Sequence, residues 1–352
     1  MKHAVEIAEP GVANTVQDGG RRGYRQVGVP LSGALDAVLL ACANRLLGNP
    51  ADAAAIEIPL SGPTLRATGD PVRVALAGAI AAKLLRVDGT RIDIDSAQSV
   101  TLRRGDSLAV GAARTGVAYL ALAGGCRVPL QLRSRSTYVR ARLGGVAGRA
   151  IAAGDRIACG APAGELAVEW RAATPFAHAA GPIRVIPGPQ DDAFEPEALA
   201  ALFDHSYRVS RDSDRMGMRL EGPRLKHRGG ADIVSDGIAP GAIQVPGNGQ
   251  PIVLLADSQT VGGYTKIATV IRADLPRIAH ARPGTELRFA AVTRAQAFDA
   301  LREQAEAIER WLRSIVPYRL PGSIDLDALR EHNLVSGAID AAADRLPWEG
   351  VP

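Results

Sequence analysis

The chain has 352 residues, enough for two domains rather than one ordinary core, and its 47% apolar and 22% charged residues are the proportions of a globular protein. Its 41 Lys and Arg exceed 37 Asp and Glu by four, with no basic block, and no run approaches the roughly 18 apolar residues of a membrane span. Neither nucleic acid nor a membrane is therefore expected as a partner.

In chain order, "HAVEIAEP" predicts an opening strand, closed by the Pro10-Gly11 turn. A first helix is predicted over Leu35 to Leu47, where Leu35, Val38, Leu39, Cys42 and Leu46 recur at helical spacing and Gly48 supplies a stop. Short strand-like runs then alternate with turns: "RVALAGAIA", "RIDIDS", "SVTLRRGDSLAVG", "GVAYLALAGG" and "RIACGAP". Such runs, bounded by Gly, Asp and Pro, indicate a sandwich or barrel rather than alternating strands and helices. "RRGDSLAV", "AAGDRIAC" and "RPGTELRF" share one pattern, Gly-Asp or Gly-Thr ahead of a strand, and suggest a repeated turn.

The Pro/Ala-rich "RAATPFAHAAGP" is the expected linker. Beyond it come "IRVIPGPQ", a short helix from Pro196, and the strands "YRVS", "GMRLEG", "PIVLLAD", "KIATVIRAD" and "ELRFAAV". The longest helix is predicted over Arg294 to Ile315, with Thr293 and Gln296 at capping-box spacing and an apolar stripe of Phe298, Leu301, Ala305, Ile308, Leu312 and Ile315. A helical patch, "DLDALREHN", is predicted in the tail. The expected architecture is mainly β with a few helices (α+β): a β-rich domain over 1–175, a β-barrel domain over 182–292, and a C-terminal helix and tail over 293–352.

Cys42, Cys126 and Cys159 lack disulfide-framework or zinc spacing, and "MKHAVEIAEPG" lacks the apolar core of a signal peptide, so a cytoplasmic protein with reduced, buried thiols is expected. There is no GxxxxGK[ST], GxSxG or HExxH, and no Ala-Met-Lys-Met-like segment to accept covalent biotin. The six histidines are scattered without ligand spacing, so no metal is expected.

Three polar clusters remain. "VQDGGRRGY" with "GVPLSGALD" offers Gln17, Asp18, Arg21, Tyr24, Ser32 and Asp36. They read either as a turn network, in which Ser32 caps the helix and Asp36 faces its N-terminus, or as a binding surface. "SRDSDRMGMRL" presents Arg215 either in a structural ion pair or as a fork for a carboxylate-like group. "IQVPGNGQPIVLLADSQTVGGYTK", with "DIVSDG" upstream, is either a hairpin with a polar tip or the wall of a site. In the second reading Asp257 lies at a strand mouth, Gly262 and Gly263 permit close backbone approach, and Tyr264 and Lys266 face one side of the next strand.

Together, "TVQDGGRRGYRQVGVPLSGALD", "ANRLLGN", "IPGPQDDAF", "SDRMGMRL", "VSDGIAPGAIQVPGNGQPIVLLADSQTVGGYTKIATVI" and "DLPRIAHARPGTELRF" resemble the allophanate-hydrolase-subunit-2-like, or biotin-dependent carboxyltransferase, family over roughly residues 3 to 300. That family includes the C subunit of 5-oxoprolinase and KipA-like regulators. The resemblance implies two cyclophilin-like β-barrel domains and a separately encoded partner of the KipI-like type, the B subunit of 5-oxoprolinase. For a chain of this length it implies one component of an ATP-dependent lactam hydrolase, inactive alone, that opens 5-oxoproline to L-glutamate with the B subunit and a LamB/YcsF-type A subunit. ATP would be used by the complex, and no cofactor would be bound covalently.

The alternatives are a carboxyltransferase component acting on urea or another small amide with biotin, and a non-enzymatic KipA-like protein that binds a KipI-like kinase inhibitor. The matched motifs imply Asp257, Lys266 and Tyr264 as catalytic residues. They imply Gln259, Thr260, Gly262, Gly263, Arg215, Ser235, Gln244 and Gln250 as substrate-binding, with Gln17, Asp18, Arg21 and Asp36 as a second cluster. Relatives would carry "TGGYPK" where this chain has Val261 and Thr265, a departure that bears on the loop and on the substrate.

Overall fold

Short runs with apolar residues on one or both faces close into sheets, and four helices cover some of those faces. The computed structural model describes residues 2–164, 166 and 168–320; the patch "DLDALREHN" lies outside the described residues. Among the described residues the strands form three larger sheets and one two-stranded ribbon, so the protein is mainly β.

One sheet has six strands, in spatial order Arg156–Ala158, Ala4–Glu9, Thr64–Ala67, Ser107–Val110, Ala82–Leu85 and Arg91–Ile94. A second runs Thr15–Gln17, Ala55–Ile58, Ala118–Leu122, Val72–Ala77, Gln98–Leu102, Glu169–Arg171 and Val316–Tyr318. The third has eight strands and contains Ile183–Pro187, Gly217–Glu221, Ala242–Gln244, Ile252–Leu254 and Lys266–Val270. Ile183–Pro187 pairs in parallel with Phe289–Ala291, whereas the other ladders are antiparallel. The last strand, Val316–Tyr318, returns to pair with Glu169–Arg171.

The shared turn pattern has one geometry. Side-chain oxygens of Asp106, Asp155 and Thr285 accept from the amides of Arg103, Ala152 and Arg282, three residues back, at 2.7, 2.7 and 3.1 Å. In each turn the same residue's own amide donates back to the carbonyl three residues earlier, which fixes the chain just before its strand.

Helix α1 spans Ala37–Arg45. Its N-cap is Asp36 rather than Ser32: Asp36 Oδ1 accepts from the amides of Val38 and Leu39, both at 2.9 Å. Ser32 lies too far upstream, and its amide is taken by the carbonyl of Ala256. Leu39, Leu40 and Leu46 are buried, and each contributes about 1.5–3 kcal/mol of hydrophobic burial. Leu39 and Leu46 share a core with Ala75, Tyr119 and Trp311 of the second sheet and the last helix. A separate core under the third sheet gathers Val185, Phe194, Leu202, Tyr207, Val253 and Phe289, with helix α2 (Pro196–Asp204) supplying Ala198 and Leu202. Leu35 packs against both cores.

A one-turn helix, α3 (Leu275–Ile278), precedes the long α4 (Arg294–Arg313). The capping box forms as expected, with Gln296 N to Thr293 Oγ1 at 3.2 Å and Thr293 N to Gln296 Oε1 at 2.8 Å. The apolar stripe is rotated at its start: Phe298 is 62% exposed, while Ala297, Ala300 and Leu301 pack inward, followed by Ile308, Trp311 and Leu312. Cys42, Cys126 and Cys159 are free and buried. Among the described residues no helix is long and apolar enough to cross a membrane.

Candidate active site

The central strand Ile252–Leu254 lies between Gly217–Glu221 and Ala242–Gln244 and delivers Asp257 to its C-terminal mouth. Three backbone bonds hold that mouth: Leu255 N to Met216 O, Asp257 N to Arg215 O, and Ser32 N to Ala256 O. The chain then leaves the sheet. Val261–Tyr264 pairs with Asp232–Gly237 as a separate ribbon, and Lys266–Val270 re-enters the eight-stranded sheet. Tyr264 and Lys266 therefore do not share one face of one strand. Tyr264 is 41% exposed on the ribbon and Lys266 is 3% exposed in the sheet. The break falls at Thr265, whose amide donates to Ala231 O.

Arg215 stands beside Asp257 and commits four of its five N–H groups to the protein. Its Nε and Nη2 meet the two Asp257 oxygens at 2.9 and 3.3 Å, Nη2 also reaches Gly33 O at 2.6 Å, and Nη1 pairs with Glu57 Oε1. Burial works against the Arg215 charge, but Glu57 and Asp257 outweigh it and raise its pKa. With four of its donors committed to the protein, Arg215 holds Asp257 in place and has one N–H group left for a ligand. The hydrogen bonds continue from Glu57: Oε2 accepts from Tyr119 Oη at 2.6 Å and from Leu35 N at 2.8 Å, and Tyr119 Oη accepts from Asp36 N at 3.0 Å.

The first cluster packs against the same mouth. Asp18 accepts from Ser134 Oγ (2.6 Å), Ser136 Oγ (2.5 Å) and the amides of Arg135 (2.6 Å) and Gly20 (2.9 Å). Arg21 is fully buried; its Nη2 donates to Ser136 O, whereas its Nε and Nη1 have no partner among the described residues. Burial lowers the Arg21 pKa, and the negative charges of Asp18 and Asp257 work in the opposite direction. Gln17 Nε2 bonds Thr15 Oγ1 and Thr137 O, but its buried Oε1 is unpartnered, as are Ser32 Oγ and Ser258 Oγ. Asp36 does not join this group, because its side chain turns to His178 and His280.

On the ribbon side, Lys266 Nζ meets Asp236 Oδ2 at 3.2 Å, which lowers the Asp236 pKa. Gln244 pairs in register with Lys266, and its buried Nε2 has no partner. A Cβ at Gly262 would lie 2.7 Å from that nitrogen and 2.5 Å from Ile238 Cδ1, so glycine is what lets the ribbon close over Gln244. Gly263 sits beside it in the ribbon, Ser235 and Gln259 are exposed, and Thr260 O accepts from Ile238 N. Gln250 is not brought to the group. It precedes the strand that ends near Asp257, and its amide bonds Gly222 N and O at 2.9 and 3.1 Å. A cavity of about 390 Å³ lies behind the mouth, lined by Asp18, Ser32, Leu35, Val38, Leu255, Ala256, Gln304 and Ile308 among others.

Buried polar atoms without partners are costly, about 1–3 kcal/mol each, and are usually satisfied by water or a ligand. Here several fall in two groups, Gln17, Arg21, Ser32 and Ser258 on the side of the buried Asp257 carboxylate and Gln244 beside the buried Lys266 under the ribbon, with others at Asn14, Arg25 and Arg282. Such a set can hold an oxygen-rich, amide-like molecule and stabilise charge on its carbonyl oxygen. Sequence reasoning missed Glu57, Tyr119, Ser134, Ser136 and Ser258. The available signal was a lone polar group in an apolar run: Glu57 in "AAIEIPL" and Tyr119 in "VAYLALA".

Known proteins share this architecture. A family model described as "Carboxyltransferase domain, subdomain A and B" matches residues 27–291. The chain is 36% identical to the C subunit of 5-oxoprolinase from Escherichia coli, covering 87% of this chain and 97% of that protein. It is 34% identical to the Haemophilus influenzae protein of the same name, covering 89% and 98%. The crystal structure of the Kluyveromyces lactis urea amidolyase superposes with a TM-score of 0.78 at 28% identity, over 92% of this chain and 22% of that one.

Proposed function

The chain belongs to the carboxyltransferase-domain family of subdomains A and B, and from that premise we propose that it is the C subunit of a 5-oxoprolinase. In this reading it acts with the A and B subunits and ATP to open the lactam of 5-oxoproline to L-glutamate. The observation that carries the reading is length matched to kind: the chain spans 97% and 98% of the two C-subunit relatives. The site supports it. The unpartnered donors of Arg21 and Ser258 suit the carboxylate oxygens of 5-oxoproline, and that of Gln244, beside Lys266, suits a carbonyl oxygen. Lys266 stabilises negative charge on the lactam oxygen as water adds and the C–N bond breaks. Arg215 occupies part of the Asp257 carboxylate, and its remaining lone pairs accept the lactam N–H. The departing nitrogen takes a proton, so that amine and carboxylate are released.

The B subunit is the partner in this reading, and the ribbon offers it a surface, since Val234 is 92% exposed beside the exposed Val261 and Tyr264. A second reading, carboxyl transfer from biotin to a small amide, is favoured by the close superposition on the urea amidolyase. The polar set would serve it equally, because that reaction also polarises a carbonyl next to nitrogen.

The test is reconstitution with the A and B subunits. Glutamate release from 5-oxoproline should require ATP and this chain. Lys266→Met should lower it by about 100-fold or more with little change in melting temperature, because the partner carboxylate of Asp236 stays hydrated. Undiminished glutamate release without this chain would overturn the proposal. Carboxylation of an amide by a carboxybiotinyl carrier would favour the second reading.

A further inference from the structure

Two of the scattered histidines meet at Asp36. His178 Nε2 and His280 Nε2 lie 2.6 and 2.7 Å from the same oxygen, Asp36 Oδ2, while Oδ1 is used by the amides that begin α1. The two imidazole rings are 5.4 Å apart and inclined by 41°, and Phe176 packs edge-on against His178. The three ligand atoms fall within 4.8 Å of one another. Both histidines line a cavity of about 410 Å³ that Arg114 and Arg277 also border.

Most of the buried carboxylates among the described residues have a guanidinium partner; Asp18 and Asp36 do not. Glu57 and Asp257 share Arg215, Asp106 has Arg86, Glu169 has Arg73, and Asp274 has Arg184 and Arg277. Asp36 is fully buried and faces a helix N-terminus and two imidazoles, with no ion pair to Lys or Arg among the described residues. A buried carboxylate is held either by several hydrogen-bond donors, as Asp18 is, or by a compensating cation. Protonated imidazole is one source; a metal ion bound to neutral imidazoles is the other.

We propose that Asp36, His178 and His280 form a binding site for a divalent transition-metal ion, Zn²⁺ foremost, with its open coordination position facing the cavity. Two imidazole nitrogens and one carboxylate oxygen are a set that Zn²⁺ takes, leaving one position for water or an anion. Tetrahedral bonds of about 2.0–2.1 Å put ligand atoms roughly 3.3 Å apart, so each imidazole must retreat by about 0.6 Å. The cavity on their side gives them room, while Asp36 is fixed by the helix it caps. The site is separate from the Asp257–Lys266 group, and it stands or falls independently of the 5-oxoprolinase reading.

The experiment uses the full chain, stripped with a chelator, desalted and titrated with ZnCl₂ alone or CoCl₂ alone. The wild type should take up about one Zn²⁺ per chain, give the intense visible bands of four-coordinate Co²⁺, and melt higher with zinc. His178→Ala and His280→Ala should each lose the uptake, the bands and the zinc-dependent rise. His178→Gln and His280→Gln serve as second variants, because an amide still donates to Asp36 and preserves the fold but ligates poorly. Absence of stoichiometric uptake by the wild type, or uptake unchanged in the histidine variants, would overturn the proposal.

Discussion

Replacing Arg215 by Met keeps much of the side chain's length and removes the cation shared by Glu57 and Asp257. Both carboxylates are buried, with side chains 2% and 8% exposed, and four hydrogen bonds to Asp257, Glu57 and Gly33 disappear together. Breaking a buried pair by deleting one partner costs about 3–5 kcal/mol, because the remaining charge is left uncompensated. Two carboxylates are orphaned here, so the upper part of that range applies. Arg215→Lys should fall between, since a single ammonium cannot span Asp257, Glu57 and Gly33 as a planar fork does. The assay is urea unfolding at neutral pH of the wild type, both variants, Asp257→Asn, and the Arg215→Met/Asp257→Asn double variant. The double variant should lose less than the sum of the single losses, because removing the second charge relieves the first. Arg215→Met within about 1 kcal/mol of the wild type, or strictly additive losses, would refute the reasoning.

Gly144→Ala should also be severe, as its φ is +72° and the new Cβ would lie 1.9 Å from Ser136 O and 2.2 Å from Arg21 Nη2. The expected result is a loss of more than about 2 kcal/mol in the same urea assay, with substrate binding weakened if Arg21 is displaced. Asp274 predicts a pH dependence. Burial raises its pKa, but Arg184 and Arg277 outweigh burial and hold it below the usual carboxylate value. A depressed folded pKa stabilises above the unfolded value and is lost on acidification, so stability should fall below about pH 4. Asp274→Asn should flatten that part of the melting-temperature profile, and an unchanged acid limb would count against the assignment.

Local rules carried the fold a long way. The turn before each of three strands was visible because Asp106, Asp155 and Thr285 must sit where a side-chain oxygen can take an amide three residues back. The α4 capping box followed from Thr293 and Gln296 in the same way. Phe298 was misplaced because a stripe repeating at three and four residues has a neighbouring solution one position away, and only the surface that α4 lands on selects between them. The short strands Thr15–Gln17, Ala242–Gln244 and Val316–Tyr318 were not foreseen. Three residues carry too little periodicity, and these exist because a neighbouring strand pairs with them.

Part of the candidate site was legible by chemistry and not by geometry. Asp257, Lys266 and Gln244 are polar groups next to apolar runs, Gln17 and Arg21 belong to a polar, glycine-rich run, and the structure buries all five. Which partner each would find depends on contacts far along the chain. Arg215 to Glu57 spans 158 residues, and Asp36 to His280 spans 244. No spacing rule reaches that far, so the histidines looked scattered and the ion-pair partners of Arg215 could not be named.

The run of bonds from Asp257 through Arg215, Glu57 and Tyr119 to the backbone of Asp36 crosses from the third sheet into the second, then to the start of α1. Stability alone does not account for it, since well-packed apolar residues of similar volume often serve as well as a buried ion pair or better. Such residues could not hold two carboxylates at set positions, one at a strand mouth and one at a helix start. Each link is directional: Arg215 presents a planar fork to Asp257, and Tyr119 donates to Glu57 and accepts from the Asp36 amide, while the Asp36 side chain caps α1 and meets the histidines. The same network therefore holds Asp257 at the strand mouth, next to the unpartnered hydroxyl of Ser258, while its other end reaches the start of α1. It separates one carboxylate for the proposed lactam chemistry from another that faces imidazoles across a second cavity.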